Sequence, residues 1–101
     1  MTNRHPSIEP MHPGELLRED VLPALGIKKG EMADLLQTSR QTLYEILAEK
    51  RSVTPEMAVK LGKLCGNGPD LWLNLQTAYD LWRAERQVDT SKIPTLEAEA
   101  A

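Results

Sequence analysis

Apolar residues recur at three- and four-residue spacing along most of the chain, which is the pattern of helices that each bury one face. The pattern is most regular between residues 28 and 51, where two short amphipathic stretches are separated by the segment 37–39. Two short helices joined so closely on a shared core are typical of a helix-turn-helix. The buried stripes are predicted to be Met32, Ala33 and Leu36 in the first helix, and Leu43, Ile46 and Leu47 in the second.

Helix boundaries are predicted from proline residues and from capping side chains. Pro13 suits the first turn of a helix, and Pro23 would interrupt or kink that same helix. Ser39 and Thr54 are good N-caps, because a hydroxyl oxygen can accept a hydrogen bond from a backbone N–H of the first turn. The predicted helices lie near residues 13–25, 29–36, 39–49, 55–65 and 69–87.

These helices predict a single all-α domain over residues 12–87. Residues 1–11 are polar and contain two prolines, so they are predicted to form a mobile arm. Residues 88–101 show only weak hydrophobic periodicity and carry acidic residues near their end, which predicts a short extended tail. Ile93 and Leu96 in that tail are candidate anchors onto a partner.

The second of the two short helices carries polar side chains on the face opposite its core stripe. Arg40, Gln41 and Tyr44 lie on that face, with Thr38 and Thr42 beside them. Arginine can bond a guanine edge through two N–H groups, glutamine can do the same with adenine, and the major groove admits a helix. The plain alternative is an ordinary two-helix corner of a small helical protein, whose polar face is only solvated.

Basic residues flank this pair of helices and are predicted to contact DNA phosphates: Lys28, Lys29, Lys50 and Arg51. The net charge of the whole chain is −3, which alone does not suit a DNA-binding protein. Residues 28–63, however, carry seven Lys or Arg against five Asp or Glu, while the segments on either side are acidic. Because phosphate responds to the local field, the basic centre favours a nucleic-acid partner.

Residues for catalysis or for metal and cofactor binding are not grouped, so we expect neither an enzyme nor a cofactor. His5 and His12 lie in or beside the arm without ligands at suitable spacing, whereas a metal site needs three or four. Cys65 follows an apolar pattern that favours an inert core thiol over a redox site. No long apolar run or signal peptide is present, which predicts a cytoplasmic protein without a membrane partner.

The last predicted helix carries a wider apolar surface than one small globule needs. Part of this surface is therefore predicted to meet a second copy of the chain. The alternative is that the two tryptophans only complete the core of the monomer, and the sequence leaves both readings open. The candidate dimer-interface residues are Leu71, Trp72, Leu75, Tyr79 and Trp82.

Four segments together resemble the HigA/VapI antitoxins, within the larger Xre/Cro/C1-type group of helix-turn-helix regulators. They are HPGE at 12–15, SRQTLYEIL at 39–47, SVTPEMA at 52–58 and LWLNLQTAYDLW at 71–82. The resemblance implies a five-helix, lambda-repressor-like domain that dimerises and binds its own operator, an inverted repeat. It also implies neutralisation of a RelE/HigB-like toxin, which cuts translated mRNA on the ribosome. The positions that match the family's DNA-reading residues are Thr38, Ser39, Arg40, Gln41 and Tyr44.

Three positions depart from the family's pattern. Gln37 stands where glycine is usual in the turn, so the chain must accept a left-handed residue or a different turn. Lys28 replaces the usual Ser or Thr cap, and Ala48-Glu49 replaces a common Asn-Gly pair. Two functional alternatives also stay open: a solitary repressor without a toxin, and a module that binds only protein. The presence of Arg40 and Gln41 argues against the second.

Overall fold

The computed structural model describes residues 8–97, and over that range it contains five helices and no strand. The predicted all-α, five-helix fold is therefore confirmed. His5 and the rest of the arm before Ile8 lie outside the described residues, as do residues 98–101 of the tail. In chain order the helices are α1 over residues 13–25, α2 Lys29–Leu36, α3 Arg40–Leu47, α4 Pro55–Cys65 and α5 Pro69–Gln87.

The first helix changes its hydrogen-bonding pattern along its length. Its three parts are Pro13–Leu16 and Leu22–Leu25, both α-helical, and Leu17–Val21 between them, which forms a π-helical turn. The N–H of Leu22 donates to the carbonyl of Leu17, five residues back. Pro23 follows at once, and in a regular α-helix its ring would clash with the carbonyl four residues earlier. The interruption predicted at Pro23 thus takes the form of a wider π turn rather than a break.

Side-chain caps begin three of the five helices. The predicted caps are confirmed: Ser39 Oγ accepts from the N–H of Thr42 at 3.0 Å, and Thr54 Oγ1 accepts from the N–H of Met57 at 3.1 Å. His12 is a third cap that the sequence analysis missed, because histidine is not a usual one. Its Nδ1 atom accepts from the N–H of Gly14 at 2.8 Å, and the ring is buried.

Two glycines allow helices to approach closely. A Cβ atom on Gly14 would lie 1.8 Å from the carbonyl oxygen of Ile46, so the start of α1 packs directly on the end of α3. A Cβ atom on Gly62 would lie 2.3 Å from the carbonyl carbon of Gly68, so α4 packs just as closely on the start of α5. A bulkier residue at either position would push apart the two helices that meet there.

The core is aliphatic except for one tryptophan, Trp72, which has no exposed surface and donates from Nε1 to Asn67 Oδ1 at 3.0 Å. The prediction of Trp72 as a dimer-interface residue is therefore wrong, because a side chain fully buried in one protomer offers nothing to a second. The buried apolar residues are Leu17, Leu22, Met32, Ala33, Leu36, Leu43, Ile46, Leu47, Val53, Met57, Ala58, Leu61 and Trp72.

A buried glutamine connects α5 to the segment before α4. Gln76 Oε1 accepts from the N–H of Val53 at 2.8 Å, and its Nε2 donates to Asp80 Oδ1 at 2.9 Å. Both ends of the buried amide are therefore satisfied, as buried polar groups require. The contact fixes the loop that follows α3, so it indirectly holds the end of the helix-turn-helix.

Candidate nucleic-acid interface

The turn between α2 and α3 is closed by a left-handed residue. Gln37 has φ 57° and ψ 46°, and its N–H donates to the carbonyl of Asp34 at 3.1 Å. The N–H of Thr38 donates to the carbonyl of Ala33 at 3.0 Å, and Lys60 Nζ donates to the Gln37 carbonyl at 3.1 Å. The chain thus takes the first of the two outcomes expected for a non-glycine here, a left-handed residue, and these hydrogen bonds hold it.

The helix α3 presents its polar face to solvent while its apolar face is buried. Its stripe of Leu43, Ile46 and Leu47 packs in the core, as predicted. Arg40, Gln41 and Tyr44 are exposed on the opposite side, Tyr44 at 42% of its surface. Thr38 is half-buried beside them. Ser39, also predicted to read bases, uses its hydroxyl as the cap and donates to Thr42 Oγ1 at 2.8 Å.

The first turn of α2 lies against the polar face of α3. A Cβ atom on Gly30 would lie 3.0 Å from Cζ of Arg40, so the guanidinium rests on that glycine. Lys29 Nζ stands 5.9 Å from the centroid of the Tyr44 ring, within cation–π range. The starts of the two helices therefore form one continuous polar and basic surface.

An acidic residue on α3, which the sequence analysis did not single out, interacts with two predicted DNA-contacting residues. Glu45 Oε2 accepts from Gln41 Nε2 at 3.3 Å, and Glu45 Oε1 accepts from Arg51 Nε at 2.7 Å and lies 2.6 Å from Arg51 Nη2. The hydrogen bonds from Arg51 and then from Gln41 lower the pKa of the Glu45 carboxyl, so it is ionised near neutral pH. The four-residue spacing of Gln41 and Glu45 could have indicated the first contact.

The end of α3 is tied to α1 through an arginine. Glu49 takes the left-handed conformation, with φ 63°, in the pair that replaces Asn-Gly. Its Oε2 atom accepts from Arg18 Nη1 at 3.2 Å, and the same nitrogen donates to the carbonyl of Leu47 at 2.7 Å. Arg18 thus satisfies a carbonyl that the helix end would leave unpaired.

The predicted phosphate contacts stand at both ends of the helix-turn-helix. Lys28, Lys29 and Lys50 are exposed, and Lys28 precedes α2 without forming a side-chain cap. Arg51 is also exposed but is paired with Glu45, so part of its charge is already compensated. Lys29 lies next to Tyr44 on the exposed face of α3.

The fifth-helix candidates differ in exposure. Leu71 is exposed, and Leu75, Tyr79 and Trp82 are half-buried. Tyr79 also packs edge to face on the His12 ring, with centroids 4.8 Å apart. These four residues lie along one side of α5.

Chemistry other than binding finds little support in the described part of the chain. Over residues 8–97, no group of three or more His, Cys, Asp or Glu side chains is arranged to hold a metal ion. Within the same residues, no helix is long and apolar enough to cross a membrane. Cys65 is half-buried, and burial raises the pKa of its thiol, so the reactive thiolate is disfavoured.

A helical pair joined by a tight turn, with its second helix exposed and flanked by lysines, defines a helix-turn-helix protein of the DNA-binding class. A family model described as helix-turn-helix matches residues 17–72, more than half of the chain. Virulence-associated protein I of Dichelobacter nodosus is 38% identical over 91 residues, which cover 90% of this chain and 82% of that protein.

Two solved structures of antitoxins are similar over most of the chain. Antitoxin GraA in complex with its operator has a TM-score of 0.80 at 34% identity, covering 97% of this chain and 99% of that one. Pseudomonas aeruginosa antitoxin HigA with the higBA promoter has a TM-score of 0.76 at 32% identity, covering 87% of this chain and 100% of that one. The chain belongs to the Xre-type helix-turn-helix family, alongside HigA antitoxins and VapI-type proteins.

Proposed function

We propose that this protein is the antitoxin of a type II toxin–antitoxin system. It acts in the cytoplasm as a non-enzymatic regulator: a dimer represses its own operon by binding operator DNA, and the same protein neutralises a RelE/HigB-like mRNA-cleaving toxin. The single observation that supports the DNA-binding part best is the exposed face of α3, with Arg40, Gln41 and Tyr44 beside the basic start of α2. The antitoxins bound to operator and promoter DNA have similar folds and add support.

In the proposed complex, α3 enters the major groove and the N-terminal part of its exposed face contacts base edges. Arg40 and Gln41 are the base-reading residues best placed for hydrogen bonding, with Thr38, Ser39 and Tyr44 around them. The lysines at both ends of the helix-turn-helix contact phosphates and fix the register. A dimer built on α5 would meet two half-sites related by a two-fold axis, which is why an inverted repeat is expected.

Footprinting on the DNA upstream of the protein's own gene tests this proposal. The expected result is a pair of protected segments of inverted sequence, with centres about 10 base pairs or a multiple of that spacing apart. Protection of a single half-site would contradict the dimeric arrangement. Uniform weak protection along the duplex would contradict sequence-specific binding.

The toxin part of the proposal rests on charge as well as on the family. The segments on either side of the helix-turn-helix carry net charges of −2 before Lys28 and −3 after Lys63. A toxin that docks on ribosomal RNA should have a basic working surface, and acidic segments would speed its encounter with the antitoxin. We therefore place the toxin away from α3, which leaves Arg40 and Gln41 free for the operator in a ternary complex.

Rescue of translation tests the toxin partnership. The product of the neighbouring gene should stop translation in a cell-free extract, and the purified protein should restore it. Arg40→Ala should restore translation equally well, since its altered residue faces DNA. Loss of rescue by a folded Arg40→Ala protein would show that the two surfaces overlap. If no neighbouring product binds the protein, the alternative of a solitary repressor takes its place.

A further inference from the structure

Arg40, the first residue of α3, rests on a glycine that the sequence analysis did not single out. Gly30 is the second residue of α2, and a Cβ atom built on it would lie 3.0 Å from Cζ and 3.1 Å from Nη2 of Arg40. Carbon atoms in favourable contact stand about 3.5–4.0 Å apart. A side chain at position 30 would therefore push the guanidinium from its present place.

Glycine at this position is not required by the backbone. The described glycines with positive φ are Gly26, Gly66 and Gly68, and Gly30 is not among them. Inside a helix, glycine is the least favourable residue after proline, because it loses the most backbone freedom on folding. Gly30 therefore weakens the start of α2, although no positive φ requires a glycine there. The backbone conformation does not explain why position 30 is glycine, but the contact with the Arg40 guanidinium does.

We propose that Gly30 is a positioning residue that fixes where the Arg40 guanidinium meets DNA. This inference rests on the proposed function, since it concerns the same DNA-facing surface. The planar guanidinium lies against the glycine, and this contact restricts its side-chain conformations before DNA arrives. A bidentate hydrogen bond to guanine depends on the position of the whole guanidinium plane. Holding that plane in advance reduces the ordering that binding would otherwise require.

Lys29, next to Gly30, also contacts α3, so the first turn of α2 contacts two side chains of α3, Arg40 and Tyr44. Lys29 Nζ stands 5.9 Å from the Tyr44 ring, on the same exposed face as Arg40. The start of α2, proposed to contact phosphates, is therefore in direct contact with the exposed face of α3, proposed to read bases. A change at position 30 should alter base reading by Arg40 more than it alters phosphate binding by the nearby lysines.

Operator-binding measurements on Gly30→Ala and Gly30→Leu test this inference. Both variants should fold, because the atoms that must move are the far end of a flexible side chain, and Ala and Leu favour helix. The thermal unfolding midpoint should equal or exceed that of the wild type. Affinity for the promoter duplex should fall about 5-fold or more, with the larger loss for Leu, while affinity for a scrambled duplex changes less.

The matched control is Gly30→Ala combined with Arg40→Ala. If Gly30 acts through Arg40, adding Gly30→Ala to Arg40→Ala should cause no further loss. An equal loss in both backgrounds would overturn the inference, and so would unchanged operator affinity in both Gly30 variants. A lower unfolding midpoint for Gly30→Ala would assign Gly30 a packing role instead. A wild-type protein that does not distinguish promoter from scrambled duplex would refute the proposed function itself, which is a separate outcome.

Discussion

At the scale of single residues, the polar face of α3, which we propose reads bases, also carries a negative charge, Glu45. Glu45 accepts hydrogen bonds from both Gln41 and Arg51, so one of the four predicted phosphate contacts is paired within the protein. If α3 faces DNA as proposed, the Glu45 carboxylate repels phosphate and lowers affinity for DNA of any sequence. Its effect on Gln41 is different, because the hydrogen bond orients the amide group that we propose reads a base.

Replacing Glu45 tests this dual effect. Glu45→Gln should raise affinity for scrambled DNA, because it removes a negative charge and frees Arg51 to contact a phosphate. The slope of log affinity against log salt should become steeper by about 0.9, the value expected for one added phosphate contact. The ratio of operator to scrambled affinity should fall. Fluorescence anisotropy at several salt concentrations measures all three quantities.

The control for Glu45→Gln is the same substitution at Glu97, which lies exposed in the tail. Glu97→Gln removes an equal charge without touching the reading face, and we expect its salt slope to match that of the wild type. Equal slopes for all three proteins would show that Arg51 remains bound elsewhere and contacts no phosphate.

His12 is the second residue with a measurable consequence. Its Nδ1 atom caps α1, and burial lowers the pKa of the imidazole, with Glu49 and Asp80 partly opposing that effect. Below about pH 6.5, the unfolded chain binds a proton that the folded chain resists, so the free energy of unfolding should fall as the pH falls. The loss ends once the pH is below the folded pKa, because both states are then protonated.

Urea unfolding of the wild type and of His12→Asn at pH 7.5 and pH 5.5 isolates this effect. Asparagine is a good N-cap without a titratable ring, whereas His12→Ala should cost about 0.5–2 kcal/mol at pH 7.5 through the lost cap. The wild type should lose more stability between the two pH values than His12→Asn does. Parallel losses in the two proteins would show that another group causes the pH dependence.

At the scale of helices, the sequence was most informative where an element buries one regular stripe. Leu43, Ile46 and Leu47 identify the buried face of α3 and therefore its exposed face as well. On α5 the apolar positions form two adjacent stripes, and periodicity cannot rank them. Trp72 is fully buried, while Trp82, on the adjacent stripe, is half-buried. Only the three-dimensional packing of α5 distinguishes the two tryptophans.

A substitution on α5 tests dimerisation. Leu71 is 40% exposed on the side shared with Leu75, and Leu73 is 36% exposed on the opposite side. Leu71→Glu should weaken the dimer by about 2 kcal/mol or more, roughly 30-fold in the dissociation constant, because it places a charge in an apolar interface. Leu73→Glu carries the same change at similar exposure and should leave the dimer intact.

Sedimentation equilibrium distinguishes these outcomes. The wild type and Leu73→Glu should sediment as dimers at low micromolar concentration, and Leu71→Glu as a monomer. A wild type that remains monomeric at about 50 µM, far above common protein–protein dissociation constants, would refute the proposed dimer. Dissociation by Leu73→Glu alone would place the interface on the other side of α5.

At the scale of the whole molecule, local patterns predicted the elements but not the contacts between them. The contact of Arg40 with Gly30 and the pairing of Arg51 with Glu45 depend on how helices and loops pack in space. The cap formed by His12 is local, and it was missed because histidine is an unusual N-cap. No spacing rule connects Gly30 with Arg40 or Glu45 with Arg51, whereas the four-residue spacing of Gln41 and Glu45 is helical. The resulting surface combines a basic helix-turn-helix with acidic segments on both sides, which suits two partners of opposite charge.

Binding of variants to operator and scrambled duplexes tests the central claim, that α3 reads operator DNA, most directly. Arg40→Ala and Gln41→Ala should each cost about 1–3 kcal/mol on the operator, and each should relax the preference at one base position. Lys28→Ala and Lys50→Ala should weaken operator and scrambled DNA equally, with a salt slope reduced by about one phosphate contact. An Arg40→Ala protein that binds both duplexes as the wild type does would contradict the account.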